Sequence, residues 1–242
     1  MRRGSSAIWA CYIGVILLAL TAPIIIIVIY SFSPSRYMQV VPSGISLKWY
    51  KLFFSDKTFM LALRNTLILS AGTLPLCMMI ALPTAHSIAR KAVAGADMIG
   101  IIMSSTLILP GVVTGIAFLS FFNFLHVDNG IIRMTIAMTV VCLPYAVYAL
   151  LANYRGMDVS LEEAARDLGA KPLYIYFRVV LPQLRPGVIA GGIFILVEAI
   201  DNFAVNVFLA DGRTVTLPIA TYERMRTFDD PTVAVIATMM AL

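Results

Sequence analysis

The chain has 242 residues, of which 60% are hydrophobic and only 13% are charged. This composition exceeds what a soluble core requires and is typical of an integral membrane protein. The net charge of +5 is spread over loops without a Lys/Arg cluster, which disfavours nucleic acid as a partner. Long apolar runs, rather than alternating ten-residue segments, predict membrane-spanning helices.

The first apolar run extends from Ala7 to about Tyr30 and follows Arg2 and Arg3. It is too long for a signal-peptide apolar region and lacks a clear small-residue cleavage site, so we predict a retained first span. The chain then becomes amphipathic over 31–62, which we expect to form an outer loop near the membrane surface. Its breakers and interfacial aromatic residues are Pro34, Pro42, Gly44, Trp49, Tyr50, Phe53 and Phe54.

Two more spans are predicted before the middle of the chain. The second runs from about Leu63 to Ala89 and the third from about Asp97 to Leu125. The third contains Pro110, which should kink or locally break the helix, and then Gly111 and Gly115, which permit close backbone approach. Packing is a simpler interpretation of these glycines than a gating hinge, because glycine and proline are common in membrane helices.

A fourth span from about Ile131 to Ala152 contains Pro144, and a fifth extends from Gly187 to about Leu209. Small residues at the start of the fifth span favour tight helix contact. A polar outer loop is predicted from Asp211 to Asp230. The last apolar run, Pro231 to Leu242, would span roughly 18 Å at about 1.5 Å per residue, short of the ~30 Å required. We therefore expect the sequence to stop inside a sixth span.

Few residues are candidates for chemistry. Cys11, Cys77 and Cys142 are odd in number and lie in apolar runs, so they are interpreted as small core residues and not as a disulfide framework or metal site. The two histidines, His86 and His126, form no H-E-x-x-H or Cys/His pair that could hold a metal. His86 is interpreted as an interfacial side chain. We predict no metal site and no catalytic residue.

A phosphate-binding loop is also missing from the sequence. Gly95 and Gly100 have the glycine spacing of G-x-x-x-x-G-K-[ST], but Ile101 and Ile102 follow in place of the Lys and Ser/Thr. If ATP drives this protein, another subunit must bind the nucleotide.

A polar, helix-forming stretch lies between the fourth and fifth spans. Ser160 followed three residues later by Glu163 is typical of a capping box that starts a helix. Gly169 can adopt the left-handed conformation that closes this helix, Pro172 suits the first turn of a second helix, and Pro182 should end it. The sequence therefore predicts a helix, a sharp glycine turn and another helix.

This stretch resembles the cytoplasmic EAA loop of ABC-importer permeases, with Val179 where that family usually has isoleucine. The matching residues are Glu163-Ala164-Ala165, Gly169 and Val179-Val180-Leu181-Pro182. In that family the loop is a coupling helix that docks on the ATP-hydrolysing subunit. The resemblance implies an ATPase-coupling role for Glu163, Ala164, Ala165, Gly169, Leu181 and Pro182. An ordinary amphipathic surface helix pair remains the alternative.

The fifth span carries the strongest candidates for a substrate path. Glu198 and Asp201 lie three residues apart on one predicted helical face, and Asn202 and Asn206 extend that face. An uncompensated carboxylate at the bilayer centre costs at least ~2.5 kcal/mol, so both acids should face the bundle interior or a water-filled path. Their charge favours a cationic cargo. Pairing with a partner's arginine or with polar groups of adjacent helices is the alternative.

The whole chain resembles the smaller permease of the spermidine/putrescine branch of binding-protein-dependent ABC importers. The Ala-rich EAA loop, Asp201-Asn202-Phe203 and Thr216-Leu217-Pro218 carry this resemblance. The branch often has Asp-Glu-Phe in the fifth span, so Asn202 stands in place of an acid. The resemblance implies one permease domain over 1–242, with a core at 63–242 preceded by the first helix and outer loop at 1–62. The expected fold is an all-α integral membrane protein with six transmembrane helices, the last truncated, and a coupling helix between helices 4 and 5.

The same resemblance implies the partners and the location. The chain would sit in the bacterial inner membrane, in contact with lipid, and pair with a second permease subunit. An extracytoplasmic substrate-binding protein would deliver cargo, and two ATP-binding subunits would bind ATP and magnesium, so this chain would hold no cofactor. Its function would be to move a small cationic solute, spermidine or putrescine, into the cytoplasm.

Charge decides little about orientation. An inside N-terminus leaves as many Lys/Arg residues outside as it places in the cytoplasm, the latter being Arg2, Arg3, Arg90, Lys91, Arg155, Arg166, Lys171, Arg178 and Arg185. The EAA resemblance, which requires a cytoplasmic loop, places both termini in the cytoplasm.

Two other functions remain open from the sequence. Related permeases with the same architecture carry other small solutes, including ferric iron. A secondary transporter or channel driven by an ion gradient through Glu198 and Asp201 would function from this chain alone and would need no docking loop. A membrane-embedded enzyme is remote, because no nucleophile and base pattern is present.

Overall fold

The computed structural model describes residues 2–36, 44–91, 95–227 and 230–241, and every regular element in these ranges is helical. The all-helical prediction is therefore confirmed for this part of the chain. The predicted breaker Pro42 and the terminal Leu242 lie outside the described residues. The chain divides into two compact units, Arg64–Thr216 and a unit formed by Met1–Leu63 with Leu217–Leu242.

Thirteen α-helices lie in the described ranges, and a π-helical turn at Tyr176–Val180 joins α8 to α9. They are α1 (Arg2–Ser31), α2 (Lys48–Ser55), α3 (Lys57–Ala89), α4 (Ala96–Thr106), α5 (Gly111–Phe124), α6 (Gly130–Tyr154), α7 (Ser160–Asp167), α8 (Pro172–Ile175), α9 (Leu181–Gln183), α10 (Arg185–Asp201), α11 (Asn206–Leu209), α12 (Leu217–Thr227) and α13 (Thr232–Ala241).

Three of the described helices are long and apolar enough to cross a membrane, and the number rises to five if each of two sharply bent helix pairs forms one span. The three are Cys11–Ser31, Lys57–Ala89 and Gly130–Tyr154, and the pairs are Met98–Thr106 with Gly111–Phe124, bent by 104°, and Pro172–Gln183 with Arg185–Asp201, bent by 73°. The structure thus supports three to five of the six predicted spans. The last predicted run forms the ten-residue helix α13.

Several predicted boundaries differ from those observed. The second span begins as a helix at Lys57, before the predicted Leu63, because the segment after Asp56 continues helically into the apolar run. The third is broken at Pro110, as predicted, since proline cannot continue the backbone hydrogen bonding of a helix. The predicted polar loop 211–230 contains the helix Leu217–Thr227, so a loop over its whole length is wrong.

The unit that includes the N-terminus is built from α1, α2, α12, α13 and the first turns of α3. Along α1 most apolar side chains are exposed, as expected of a helix that faces lipid. In α2, Trp49 and Phe53, two of the predicted interfacial aromatic residues, are buried. The indole N–H of Trp49 donates to the carbonyl of Ser33 at 2.9 Å, which satisfies its one polar group.

The core of the second unit is the contact between α6 and α10. A Cβ on Gly187 would lie 2.9 Å from the Asn153 Cβ, and one on Gly191 would lie 3.4 Å from the Ala146 Cα. The predicted tight contact at the start of the fifth span is therefore present.

The cysteines divide between the surface and the core. Cys77 and Cys142 are buried in the core of the second unit, as predicted. Cys11 is exposed on α1, so the prediction of a core residue is wrong there.

A hydrogen-bonded loop lies at the N-terminal end of α6. Asp211 accepts from the backbone N–H groups of Arg213 at 2.8 Å and Gly130 at 3.1 Å, and the Asn65 amide donates to the carbonyls of Arg213 and Val215. The Arg213 N–H, followed by that of Gly130, holds the pKa of Asp211 below its ordinary value. These bonds fix the chain between α11 and α12 to α3 and α6.

Candidate functional site

The polar stretch between α6 and α10 forms the predicted helix, glycine turn and helix. Gly169 has φ +80° and ends α7, and Pro172 opens α8. The N–H of Gly169 donates to the Arg166 carbonyl at 2.9 Å, and that of Ala170 donates to the Ala165 carbonyl at 3.1 Å. This pair of bonds is a Schellman motif, which satisfies the last carbonyls of the helix and fixes the turn.

The start of this element differs from the predicted capping box. Ser160 is the first residue of α7, and its backbone N–H donates to Asp158 Oδ1 at 2.9 Å. Hydrogen bonds from the Ser160 side chain and then its backbone hold the pKa of Asp158 below its ordinary value. Glu163 is exposed, and Asp158 takes the capping role predicted for Ser160.

The predicted end of the second helix is also shifted. Pro182 lies inside α9, which continues to Gln183, and the 73° bend follows before α10 begins at Arg185. Proline is tolerated at this position because it occupies the first turn of α9, where its missing N–H is not needed.

The predicted coupling residues are largely accessible. Glu163, Ala164, Gly169 and Pro182 are exposed, while Ala165 and Leu181 are half-buried. Apolar side chains around the glycine turn are exposed as well, since Leu168 is 89% exposed and Leu173 is 73% exposed. Exposed apolar residues grouped in this way are typical of a surface that binds another protein.

The inner side of α7 carries an ion pair that the sequence analysis did not identify. Arg90 Nε donates to both carboxylate oxygens of Glu162, at 3.1 and 3.3 Å, and Nη2 donates to Oε1. Glu162 is buried at 5% exposure. Two adjacent acids in one short helix hinted that one of them faces inward, but 72 residues separate Arg90 from Glu162 and no local pattern connects them.

Aromatic side chains surround this ion pair. The Arg90 guanidinium lies 5.2 Å from the centre of the Tyr154 ring, and the Tyr154 hydroxyl is 3.0 Å from His86 Nδ1. His86 also makes an edge contact with Tyr176, with ring centres 5.1 Å apart. His86, which was predicted to be an interfacial side chain, is half-buried in this cluster. We call Arg90, Glu162, Tyr154, His86 and Tyr176 the Arg90 joint.

The four residues predicted to line a substrate path do not share one continuous helix. Helix α10 ends at Asp201, Asn202 is extended with ψ 102°, and α11 begins at Asn206. The Asn202 side chain accepts from the Val205 N–H at 3.0 Å, so a side-chain bond replaces the helical one and turns the chain. The prediction of one helical face is therefore wrong.

Three of these four residues are nevertheless brought together. The Asn202 amide donates to Glu198 Oε1 at 2.7 Å, and the Asn206 amide donates to the Asn202 carbonyl at 2.8 Å. Asn206 is 1% exposed, and its Oδ1 has no hydrogen-bond partner among the described residues. Asp201 is exposed and does not share these bonds. The break thus combines a carboxylate with a buried oxygen acceptor.

The glycines of α5 pack directly on this break. A Cβ on Gly111 would lie 2.9 Å from the Ala204 Cβ, and one on Gly115 would lie 2.7 Å from Phe208 and 3.1 Å from the Val205 carbonyl oxygen. The predicted close approach at these glycines is confirmed. The segment between α10 and α11 therefore depends on α5 for its position.

Comparison with known proteins identifies the family. The family model for the binding-protein-dependent transport system inner membrane component matches residues 11–242. The chain belongs to this family. It is an inner-membrane permease component of an ABC importer, and its relatives have a transport role and not an enzymatic one.

Similar proteins include two polyamine permeases of Escherichia coli strain K12. The permease is 28% identical to the putrescine transport system permease protein PotI over 91% of its own length and 81% of that relative. It is 27% identical to the spermidine/putrescine transport system permease protein PotC, over 90% and 82% of the two chains. The expected resemblance to the spermidine/putrescine branch is confirmed.

Other relatives carry different names. The permease is 27% identical to the molybdenum transport system permease protein ModB of Mycobacterium bovis, over 84% of this chain and 83% of that one. Its fold matches a crystal structure of a bacterial ABC transporter involved in the import of the acidic polysaccharide alginate. That match has a TM-score of 0.74 and 19% identity and covers 99% of this chain and 91% of the other.

Proposed function

We propose that the permease moves a small cationic solute into the cytoplasm, and that this solute is a polyamine such as spermidine or putrescine. The observation that carries the proposal is the helix break at Asn202–Val205, where Glu198 and the unpaired Oδ1 of Asn206 offer a negative charge and a buried acceptor. Broken helices in membrane transporters form substrate sites where backbone and side-chain oxygens bind cations. The names of PotI and PotC agree with this chemistry.

The negative charge along the proposed path favours passage of a cation over its tight binding. Glu198 already accepts a hydrogen bond from Asn202, which offsets part of its charge without cancelling it. A cation moving past would gain attraction from the carboxylate and one hydrogen bond from Asn206, and could still leave. Asp201, which is exposed, would act at the entrance to this path.

ATP hydrolysis by partner subunits would drive the movement through the element α7–α9. Its exposed Glu163, Ala164 and Gly169, together with Ala165, Leu181 and Pro182, would dock on an ATP-binding subunit. A Schellman motif fixes the turn between α7 and α8, so the element can transmit a displacement better than a flexible loop.

The assembly proposed here follows from the family. It comprises this permease, a second permease subunit, two ATP-binding subunits that hold ATP and magnesium, and an extracytoplasmic substrate-binding protein. Both termini and the element α7–α9 would be cytoplasmic. A span that includes α13 would be the sixth transmembrane helix.

A second candidate is an importer of the same class with another small solute. The molybdenum permease ModB favours it, because its 27% identity to this chain equals that of PotC, although it covers less of the chain. A gradient-driven transporter is disfavoured, since the family works with binding proteins.

Uptake into vesicles tests the cargo. The permease and its partner subunits are reconstituted with ATP on one side and the binding protein with labelled putrescine, spermidine or molybdate on the other. We expect ATP-dependent accumulation of a polyamine and none of molybdate. The reverse result would overturn the cargo class, and accumulation that does not depend on ATP would overturn the importer mechanism.

A further inference from the structure

We propose that the ion pair between Arg90 and Glu162 carries the displacement of α7 to the end of α3, so that α3 and α7 move together during transport. Both are positioning residues, and the inference rests on the proposed coupling role of α7. It adds a second route for that displacement, besides the direct chain connections of α7 to α6 and α8.

The geometry of the ion pair fixes the orientation of the Arg90 and Glu162 side chains. The guanidinium makes a two-point contact with both carboxylate oxygens, and Glu162 is 5% exposed. A two-point Arg–carboxylate contact fixes the direction of both side chains, whereas a single contact to an exposed carboxylate, such as that of Arg133 with Asp128, constrains the direction less. A pair of the first kind transmits movement in more than one direction.

The ion pair connects two helices whose backbones make little contact. In the described part of the chain α7 packs against α8 and the π-helical turn, while its backbone makes little contact with α3. Arg90 follows the last residue of α3 directly, and its N–H continues the helical bonding to the His86 carbonyl at 3.0 Å. A pull on Glu162 therefore acts on the end of α3 itself.

The aromatic part of the Arg90 joint keeps the guanidinium in place. Tyr154 is 4% exposed, lies below the guanidinium and is hydrogen-bonded to His86 of α3. Tyr176 of the π-helical turn contacts the same His86 ring. Residues of α3, α6, α7 and the π-helical turn thus meet at one point.

The two adjacent acids of α7, Glu162 and Glu163, point in different directions and have different proposed roles. Successive residues of a helix point about 100° apart, so Glu163 faces outward while Glu162 faces inward to Arg90. One turn of helix therefore offers an outer contact for an ATP-binding subunit and an inner contact for α3.

The first test compares Arg90→Gln, Arg90→Lys and, as a control, Arg155→Gln, which changes an exposed arginine in the connection between α6 and α7. Each complex is purified in lipid discs and in vesicles, and three quantities are measured: retained ATP-binding subunits, ATP hydrolysis, and uptake per ATP hydrolysed. We expect Arg90→Gln to retain the subunits and hydrolysis but to lose at least about tenfold in uptake per ATP. Arg90→Lys should lose less, and Arg155→Gln should match the unchanged protein.

A tether separates a mechanical role from a purely structural one. The double variant Arg90→Cys with Glu162→Cys is made after replacement of the three native cysteines, and a short bifunctional thiol reagent then links the two positions. We expect low uptake per ATP before linking and recovery of at least half of the normal ratio afterwards. Failure of the link to restore the ratio, or a normal ratio without it, would overturn the inference.

The same measurements distinguish failure of the proposed coupling role of α7 from failure of the proposed role of the ion pair. If ATP-binding subunits do not remain with the unchanged permease, α7 has no coupling role. If they remain, and Arg90→Gln keeps the normal uptake per ATP, only the role of the ion pair is refuted.

Discussion

The acidic side chain with the most specific surroundings in the proposed path is Glu198. It accepts from Asn202, whose carbonyl in turn accepts from Asn206, so the three residues form a connected chain of hydrogen bonds across a helix break. A glutamine at 198 could still accept from Asn202. The substitution therefore removes the charge and leaves the geometry.

We expect Glu198→Gln to lower the rate of polyamine uptake about tenfold, which corresponds to ~1.4 kcal/mol of lost attraction for the cation. Asp201→Asn is the matched comparison, because Asp201 is exposed and is not part of the hydrogen-bonded chain. The measurement is uptake of labelled spermidine into vesicles at saturating loaded binding protein. Equal rates for the two variants would show that Glu198 has no special place in the path.

The loop at the start of α6 allows a prediction about stability. A Cβ on Gly130 would overlap Thr214 Oγ1 and lie 2.9 Å from Asp211 Oδ2, whereas one on Gly212 would have no atom within 4 Å. We expect Gly130→Ala to destabilise the permease by about 1–3 kcal/mol, the usual cost of overpacking. Gly212→Ala should be close to neutral. Thermal unfolding in detergent measures both, and equal melting temperatures would contradict the tight packing at Gly130.

At the scale of elements, the turn at Gly169 offers a sharp comparison. Its φ of +80° strains any residue with a side chain, while Gly156 in the preceding connection has no positive φ and space for a Cβ. We expect Gly169→Asp to uncouple uptake from ATP hydrolysis while the protein stays in the membrane, and Gly156→Asp to leave uptake near normal. Unchanged uptake in the Gly169 variant would remove the support for a rigid coupling element.

Charge on the same element is tested by Glu163→Lys. Glu163 is exposed, so reversal of its charge should leave folding intact and disturb only contact with an ATP-binding subunit. We expect fewer retained ATP-binding subunits and at least about a tenfold loss of uptake. A variant that keeps both its partners and its uptake would refute the docking role.

The glycines of α5 position the broken segment between α10 and α11. A Cβ on Gly115 would press on Phe208 and on the Val205 carbonyl, whereas one on Gly100 in α4 would meet nothing within 4 Å. We expect Gly115→Ala to lower both the melting temperature and uptake, and Gly100→Ala to change neither. Measurement of both quantities in one preparation tests whether α5 holds the path, and a normal uptake rate in Gly115→Ala would show that it does not.

Some elements of the structure could be predicted from the sequence and others could not. Helices, the break at Pro110 and the turn at Gly169 follow from local rules, because apolar length, a missing N–H and a left-handed φ each act within a few residues. The break after Asp201 was missed, since the side chain of Asn202 competes with the helix through one bond to Val205 that periodicity does not reveal. The Arg90–Glu162 pair was missed because it depends on tertiary contact.

At the scale of the whole molecule, the family match over residues 11–242 makes this chain one component of an ABC importer. The proposed substrate path lies at the break after α10, and the proposed docking surface lies on α7–α9. Helix α10 follows α9 after one residue, so these two sites are joined by a single helix. Displacement of the docking surface would thus reach the path along the chain.

Stimulation of ATP hydrolysis by loaded binding protein tests this account most directly. The permease is purified in lipid discs with its partner subunits, and hydrolysis is measured with binding protein that is empty or loaded with putrescine, spermidine or molybdate. We predict that only polyamine-loaded binding protein raises hydrolysis, by at least about fivefold. Stimulation by molybdate alone would contradict the polyamine assignment, and failure to recover any ATPase activity with the permease would contradict the ATP-driven mechanism itself.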